Sequence, residues 1–420
     1  MISIKIIYQL SFYILFCVVF MVGGLFQFFL GIPNTLITVA LSVLMFFNYF
    51  IYSLVKKKAV VNNVVVLCGI YLLIIFISAF INKSDVVNIV IYCIFPLLPL
   101  SVYLFFYINK KESFVKQKSI YRLIFFIGII QLPILLIQRN FYDLLIVFNN
   151  SGQKIASFDF LFGSFLVKSD HSLGGFLVFT TISLLFNINN IRKYISHPIL
   201  FALYLSITLL LSESNISKAL LALSWCVYFA VYFYRKVRSD IFIKRFFLVL
   251  ALIGIVTAFY SLRNIELITS KVGGTFEQHY TVEKSLRFYN EGTAKREQIV
   301  IAAINSLETK YIGDGPYSYF DIKSGEFKNT IHFSQIIWTY FDLGLLGLFT
   351  ILIYVYSIIK STVTKKDKRL FWAIMFLFGI YMFYTTPFSE IGILLSVFLF
   401  FNFNTRNEFN NNTVSRLAQE

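Results

Sequence analysis

The sequence predicts an all-α polytopic membrane protein, on the strength of its composition, its long apolar runs and the placement of its charges. Hydrophobic residues make up 58% of the 420 residues and charged residues only 14%, and the mean hydropathy is +0.75. Soluble chains are about 45–50% apolar, so the excess must be buried in lipid. Because backbone groups in lipid must be satisfied within each segment, the spans should be helices. A soluble globular enzyme is excluded.

Twelve apolar runs are long enough, with their flanking residues, to be considered as membrane spans. The first is too long for the apolar core of a signal peptide and lacks a small-residue cleavage site, so we expect it to remain as a helix. Several others are shorter than the ~17 residues of an untilted crossing and must borrow neighbouring residues. The runs are Leu10–Leu30, Thr35–Leu54, Val60–Ile81, Val86–Tyr107, Ile120–Ile137, Leu173–Ile188, Ile195–Leu211, Ala219–Tyr234, Phe246–Leu262, Ile336–Ile359, Leu370–Tyr384 and Ile391–Phe403.

The net charge of +16 is a topology signal rather than a nucleic-acid signal. Most of the 37 lysine and arginine residues fall on alternate connectors between the apolar runs. Cytoplasmic connectors are enriched in these residues, so the pattern predicts cytoplasmic N- and C-termini and a cytoplasmic tail at residues 404–420. Binding to nucleic acid is not expected, because the basic residues are scattered between hydrophobic segments.

Cysteine and carboxylate placement argues against a disulfide, a metal or another cofactor. Cys17, Cys68, Cys93 and Cys226 all lie inside apolar runs, where thiols behave as small hydrophobic groups. The connectors supply no cluster of carboxylates for Mg²⁺.

Two long segments fall on the outer side of the predicted topology, residues 139–172 and residues 263–331. Loops of this length are usually functional or disordered. The larger one carries equal numbers of basic and acidic residues with interspersed aromatics, which favours a folded, partly helical loop. Such a loop suits an enzyme acting at the outer membrane surface, whereas a carrier that rocks between two halves has no need of it.

Arginines in the larger loop are the first candidates for anion binding. Thr293–Leu307 is predicted to form an amphipathic helix whose apolar stripe begins at Arg296. A guanidinium in the first turn would lie beside amide groups that attract anions, and Arg287 lies nine residues upstream. The alternative is that these arginines only extend to the interface or pair with Glu297 or Glu291.

Lys218 is a third candidate cation. It follows the polar break at residues 212–217, at the outer end of two predicted spans. A lysine so close to a span is costly unless it reaches water or a partner, and a structural pair with Glu213 is the alternative. Together with Arg287 and Arg296 it would form a metal-independent diphosphate site, because arginine binds phosphate oxygens as a fork and lysine as a point charge.

Two histidines lie where an outer loop turns into a span. His332 precedes the run that begins at Ile336, and His171 follows Asp170 at the end of the smaller loop. An imidazole at this boundary is suited to take a proton from a hydroxyl group. The alternative is a structural hydrogen bond to a loop carbonyl.

Two aspartates are assigned structural roles. Asp314 lies between Gly313 and Gly315, a pattern typical of a tight turn rather than of a ligand. Asp342 lies inside a predicted span just before Gly344, and we expect its carboxylate to face the protein interior, because an ionisable group facing lipid is costly.

Three motifs between Arg296 and Gly347 carry a family resemblance. They are Arg296-Glu-Gln-Ile-Val-Ile-Ala-Ala, then Tyr311-Ile-Gly-Asp-Gly315, then His332 leading into Gly344-Leu-Leu-Gly347. This order resembles the O-antigen polymerase and O-antigen ligase superfamily, integral membrane glycosyltransferases that use polyprenyl-diphosphate-linked glycans. The number of predicted spans and the large loop also resemble that family, although Lys218 stands where its members commonly have arginine.

The resemblance implies an O-antigen polymerase of the bacterial inner membrane with a periplasmic active site. It would transfer a glycan from undecaprenyl diphosphate to a sugar hydroxyl of another lipid-linked repeat unit, with a chain-length regulator protein as a further partner. Arg296, Arg287 and Lys218 would hold the diphosphate and His332 would act on the acceptor, while Asp170 and His171 form a second candidate site. The alternatives are an O-antigen ligase, which transfers glycan to the lipid A core, and a lipid-linked oligosaccharide flippase.

Overall fold

The computed structural model describes residues 3–57, 62–153, 155, 157, 160–236, 310–318, 320–321, 326–327, 334–363 and 368–401. These residues are almost entirely helical, which confirms the all-α prediction for this part of the chain. Arg287, Arg296 and His332 lie outside the described residues, as do the predicted span Phe246–Leu262, most of the larger loop and the C-terminal tail.

Each apolar run within the described residues coincides with a helix. A π-turn at Val18–Val22 joins the first two helices, short 3-10 turns occupy Ile146–Phe148 and Ile188–Tyr194, and the strands Phe320–Asp321 and Glu326–Phe327 pair in antiparallel orientation. The helices are α1 Ile4–Cys17, α2 Gly23–Leu30, α3 Asn34–Lys56, α4 Asn63–Ile81, α5 Val86–Glu112, α6 Gln117–Asn140, α7 Tyr142–Leu145, α8 Asp170–Leu185, α9 Pro198–Leu211, α10 Asn215–Lys236, α11 Gln335–Thr362, α12 Lys368–Tyr384 and α13 Ile391–Phe401.

Seven of the described helices are long and apolar enough to cross a membrane, counting α1 and α2 as one. An eighth crossing results if α8 and the 3-10 turn after it, which meet at 84°, form one broken span. Helices α9, α12 and α13 are apolar but shorter. The chain is therefore a multi-span membrane protein, and the prediction of twelve crossings stays a prediction.

Helix α8 is at the centre of the packing. Every side chain from Ser172 to Leu185 is buried, and the helix contacts α9, α10 and α13. Outward-facing positions on other helices carry large apolar side chains, such as Phe80 at 86% exposure and Trp372 at 64%. An apolar outer surface around an apolar interior is what a protein surrounded by lipid needs.

Basic side chains gather at one end of the helices, where they bind helix C-termini. The Lys110 ammonium donates to the Ser361 carbonyl at 2.8 Å. The Arg192 guanidinium donates to the carbonyls of Leu184 and Leu185 at 2.6 and 2.7 Å, and Lys56 forms an ion pair with Glu112 at 3.1 Å. Cations are stabilised by the free carbonyls at helix C-termini. We refer to this end, marked by Lys56, Lys110 and Arg192, as the basic end.

Candidate functional site

The opposite end of the molecule brings together the first turns of α8, α10, α11 and α13 and the last turns of α4 and α12. We call this the polar end. It contains two groups of hydrogen-bonded side chains, one around His171 and Glu390 and one around Asp342.

A chain of four side chains links α8, α10 and α12. The Nδ1 atom of His171 lies 2.9 Å from the Ser214 Oγ atom. Ser214 Oγ lies 2.7 Å from Ser217 Oγ, which lies 2.8 Å from the Tyr381 hydroxyl. Ser214, Ser217 and Tyr381 are fully buried. The chain therefore fixes the orientation of the His171 ring from the protein interior.

Glycine makes these close helix contacts possible. A Cβ atom on Gly174 of α8 would lie 2.2 Å from Ser217 Oγ, and one on Gly392 of α13 would lie 2.7 Å from the Ser172 Cβ atom. Neither distance is compatible with a side chain, and small residues are what allow helices in membranes to approach closely. Gly174 thus sets the separation of α8 from α10, and Gly392 sets that of α13 from α8, the helix that holds His171 and Ser172.

Replacing Gly174 with alanine is expected to force α8 and α10 apart and to lower the thermal unfolding midpoint in detergent, because overpacking costs about 1–3 kcal/mol. Gly175 provides a matched control on the same helix turn, since its Cβ would meet its nearest neighbour, Ile393, at an ordinary 3.5 Å. G175A should unfold like the wild type. Equal midpoints for G174A and G175A would show that the α8–α10 contact is not this close.

Glu390 is the carboxylate that this arrangement adds to the candidate residues. It lies in the turn between α12 and α13. Ser172 Oγ donates to Glu390 Oε2 at 2.8 Å, and Thr385 Oγ1 donates to Oε1 at 3.0 Å. Sequence reasoning passed over Glu390, although its position directly before an apolar run on the predicted outer side was a usable signal.

The surroundings of Glu390 favour its protonated form. Removal of the carboxyl from water by the surrounding protein raises the pKa of Glu390, and the charge of Asp170 raises it further. The His171 ring and the hydrogen bonds from Ser172 and Thr385 act in the opposite direction. Burial is the largest of these influences. A carboxylate with a raised pKa is a stronger base than an exposed one.

Two of the predicted site residues, Asp170 and His171, belong to this group, and a third, Lys218, follows Ser217 directly in the sequence. Asp170 Oδ2 lies 3.4 Å from His171 Nδ1. Lys218 lies in the first turn of α10, directly after Ser217, and its amide donates to the Ser214 carbonyl at 3.0 Å. Its side chain is half-buried. Lys218 and His171 thus lie in the first turns of two packed helices, α10 and α8. The roles of all six predicted site residues, Arg287, Arg296 and His332 included, stay predictions.

The second group surrounds Asp342, whose carboxylate is fully buried, as the sequence predicted. Its Oδ1 accepts hydrogen bonds from the amide and the hydroxyl of Ser318 at 3.2 and 2.5 Å. Its Oδ2 accepts from the Tyr317 amide at 3.3 Å and from Trp338 Nε1. Three of these four donors belong to residues 317 and 318 and hold them against α11, and the fourth, Trp338, belongs to α11 itself.

Helix α11 is broken at Gly344, and residues 310–315 form backbone hydrogen bonds with the helix on both sides of the break. Gly344 has φ +68° and ψ −162°, a conformation that only glycine adopts readily. The amides of Asp314 and Gly315 donate to the carbonyls of Phe341 and Asp342 at 2.8 and 3.0 Å, and the Leu345 amide donates to the Lys310 carbonyl at 2.9 Å. We call residues 310–318 the docked segment.

The docked segment contains the predicted glycine turn. Asp314 is exposed and forms an ion pair with Lys310 at 2.8 Å, in keeping with a structural role. The Asn82 side chain of α4 donates to the Gly313 carbonyl at 2.8 Å. Gly313 and Gly344 are thus needed where two backbones touch, since a Cβ on either would lie within 2.5 Å of backbone atoms.

The fold and the site define a multi-span membrane protein with hydrogen-bonded polar groups at one end of its helices. Comparisons with protein-family models, with curated proteins and with solved structures find no match to this chain. Within the described residues, no three metal-ligating side chains lie close enough together to hold an ion.

Proposed function

We propose that the protein is a membrane glycosyltransferase that polymerises lipid-linked glycan repeat units, an O-antigen polymerase. The glycan on undecaprenyl diphosphate would pass to a sugar hydroxyl of a second lipid-linked unit at the periplasmic face of the bacterial inner membrane. The observation that carries the proposal is the placement of Asp170, His171 and Lys218 in the first turns of two packed helices, α8 and α10, at the polar end, which puts proton-accepting groups and a lysine on neighbouring helices.

The same proposal includes the topology. We propose twelve spans, with the basic end in the cytoplasm and the polar end in the periplasm. Support comes from the basic side chains at one end of the helices, which follow the rule that cytoplasmic connectors are rich in lysine and arginine. Residues 263–331 would then form a large periplasmic loop beside the polar end.

The proposed reaction mainly requires stabilisation of the negative charge that develops on the diphosphate. Diphosphate is already a good leaving group, so cations placed where charge develops would supply most of the rate enhancement. Lys218 is half-buried at the polar end, and Arg287 and Arg296 would complete the diphosphate site. His332 would orient or deprotonate the acceptor. No metal or other cofactor enters the proposed reaction.

Replacing Arg296 with alanine in the native host tests the diphosphate site. Loss of one cation should cost about 2–4 kcal/mol of transition-state stabilisation, so the ladder of lipopolysaccharide chain lengths on a gel should collapse to short chains. R416A is the matched control, because Arg416 lies in the C-terminal tail on the predicted cytoplasmic side. A normal ladder with R296A would reject Arg296 as a catalytic cation.

Deleting the gene separates the proposed activity from its alternatives. Loss of a polymerase leaves a single repeat unit on the lipid core, whereas loss of a ligase leaves none and accumulates carrier-linked polymer. Transport of a labelled lipid-linked unit across purified vesicles, with no elongation of the glycan, would instead identify a flippase.

A further inference from the structure

We infer that Glu390 is the proton acceptor for the attacking sugar hydroxyl, held in place by Ser172 and Thr385, and that His171 acts on the reaction through Glu390. The inference rests on the proposed function, and of the two roles proposed there for His332 it leaves the orientation of the acceptor. It concerns a carboxylate that lies between α12 and α13 and faces the start of α8.

Glu390 lies in a narrow cleft between the π-turn after α1, helices α8 and α13, and the segments beside them. Half of the residues that line the cleft are polar and half are apolar, and the cleft is too narrow to hold a sugar ring. Its polar side chains can hydrogen-bond an acceptor hydroxyl that approaches Glu390 from outside the cleft. The polar lining residues are Asn34, Ser169, Ser172, Ser389 and Glu390.

Both oxygens of Glu390 are held in place, while the side chain stays partly exposed. Ser172 and Thr385 each donate one hydrogen bond, at 2.8 and 3.0 Å, to different oxygens. Each carboxylate oxygen can accept a second hydrogen bond. Glu390 is half-buried at the edge of the cleft. A hydroxyl that approaches the exposed part of Glu390 would therefore find an oriented acceptor with unused capacity.

Titratable groups of α8 and α12 lie near the Glu390 carboxylate. Asp170 and His171 face Glu390 from α8, and Tyr381 faces it from α12. Within the described ranges, no lysine or arginine forms an ion pair with it. Burial raises the pKa of Glu390 and the His171 ring lowers it. His171 is itself held by Ser214 at 2.9 Å, so its ring keeps a fixed orientation near the carboxylate.

The proposed step balances without a cofactor. The hydroxyl oxygen of the acceptor sugar forms a bond to the anomeric carbon of the donor glycan. The bond from that carbon to the diphosphate oxygen breaks, and its electron pair leaves with undecaprenyl diphosphate. The hydroxyl proton passes to the Glu390 carboxylate and is later released to water.

The test uses membranes that contain the full-length protein, with lipid-linked repeat unit isolated from the host as substrate. E390Q keeps the size and the hydrogen bonding of the side chain but removes its basicity, and should lower the elongation rate roughly 10²–10⁴-fold. E112Q is the matched control, because Glu112 lies at the basic end in an ion pair with Lys56. E112Q should retain the wild-type rate.

The pH profile distinguishes a base from a structural carboxylate. The wild-type rate should rise with pH through the raised pKa of Glu390, above the ~4.3 of an unperturbed glutamate. H171N removes the imidazole that favours the ionised carboxylate, so the rising part of the pH–rate profile should move to higher pH. In E390D, the rate should still rise with pH, but with a different midpoint.

An E390Q rate within twofold of the wild type, at equal amounts of protein in the membrane, would overturn the assignment while leaving the proposed function intact. If E390Q fails to accumulate, the pH–rate profiles of H171N and E390D decide instead. A rising part at the same pH as in the wild type in both variants overturns the assignment of Glu390, and a shifted one supports it. Absence of elongation by wild-type membranes would reject the proposed function and this inference together.

Discussion

Replacing Gly344 with alanine is expected to detach the docked segment, residues 310–318, from α11. At φ +68° and ψ −162°, a residue with a side chain carries about 1–3 kcal/mol of backbone strain. Its Cβ would also lie 2.5 Å from the Tyr311 carbonyl oxygen, and 2.8 Å from the Ile312 nitrogen. Backbone atoms cannot move aside as a flexible side chain can. The helix would have to close the break, which removes the space that the segment occupies.

Hydrogen exchange measures this detachment directly. The amides of Asp314, Gly315 and Leu345 are bonded across the contact, so peptides that contain them should exchange faster in G344A than in the wild type. Gly69 of α4 is the matched control, because a Cβ there would meet nothing within 4 Å. G69A should exchange like the wild type. Unchanged protection of residues 310–318 in G344A would contradict the structural role of the break.

The helices and the interior position of Asp342 were predictable because each depends on a local cost. An apolar run of about 20 residues has few alternatives in lipid to a helix, and each run within the described residues is helical. A carboxylate facing lipid is expensive wherever it occurs, so the burial of Asp342 follows from its place inside α11.

The group around His171 was only partly predictable, because it is assembled from distant parts of the chain. His171 and Lys218 could be selected from their positions at span boundaries. Their partners could not, since Ser172 and Glu390 are 218 residues apart and Ser217 and Tyr381 are 164 apart. Which helices pack together decides these contacts, and hydropathy does not determine helix pairing.

The break at Gly344 illustrates a further limit. The sequence Gly344-Leu-Leu-Gly347 indicated a helix marked by glycines, but glycine is frequent in membrane helices without breaking them. The break exists because a second segment supplies donors and acceptors for the freed backbone groups, including Lys310 and Tyr311. Irregular backbone in a membrane protein is tolerated where such partners are buried with it.

Replacing Asp342 with asparagine should be nearly as damaging as replacing it with alanine, although asparagine has the same size. Both carboxylate oxygens of Asp342 accept hydrogen bonds, two on Oδ1 from Ser318 and two on Oδ2 from Tyr317 and Trp338. An asparagine has one acceptor oxygen, so its NH₂ group must face one of these two pairs of donors. Each buried donor left without a partner costs about 1–3 kcal/mol.

A double-mutant cycle with W338F identifies this cause. The Trp338 indole donates to Asp342 Oδ2 from one turn away on α11, and phenylalanine removes that donor. In a wild-type background W338F should lower the unfolding midpoint in detergent, through the lost bond and lost ring packing against Phe95 at 4.6 Å between centroids. Where the asparagine NH₂ group faces Trp338, the same change removes a donor–donor conflict in the D342N background, so its cost should be smaller, with a coupling energy of about 0.5–3 kcal/mol. Additive effects of D342N and W338F would place the NH₂ group beside Ser318 instead. A D342N protein as stable as the wild type would mean that Asp342 does not hold the docked segment through its acceptor oxygens.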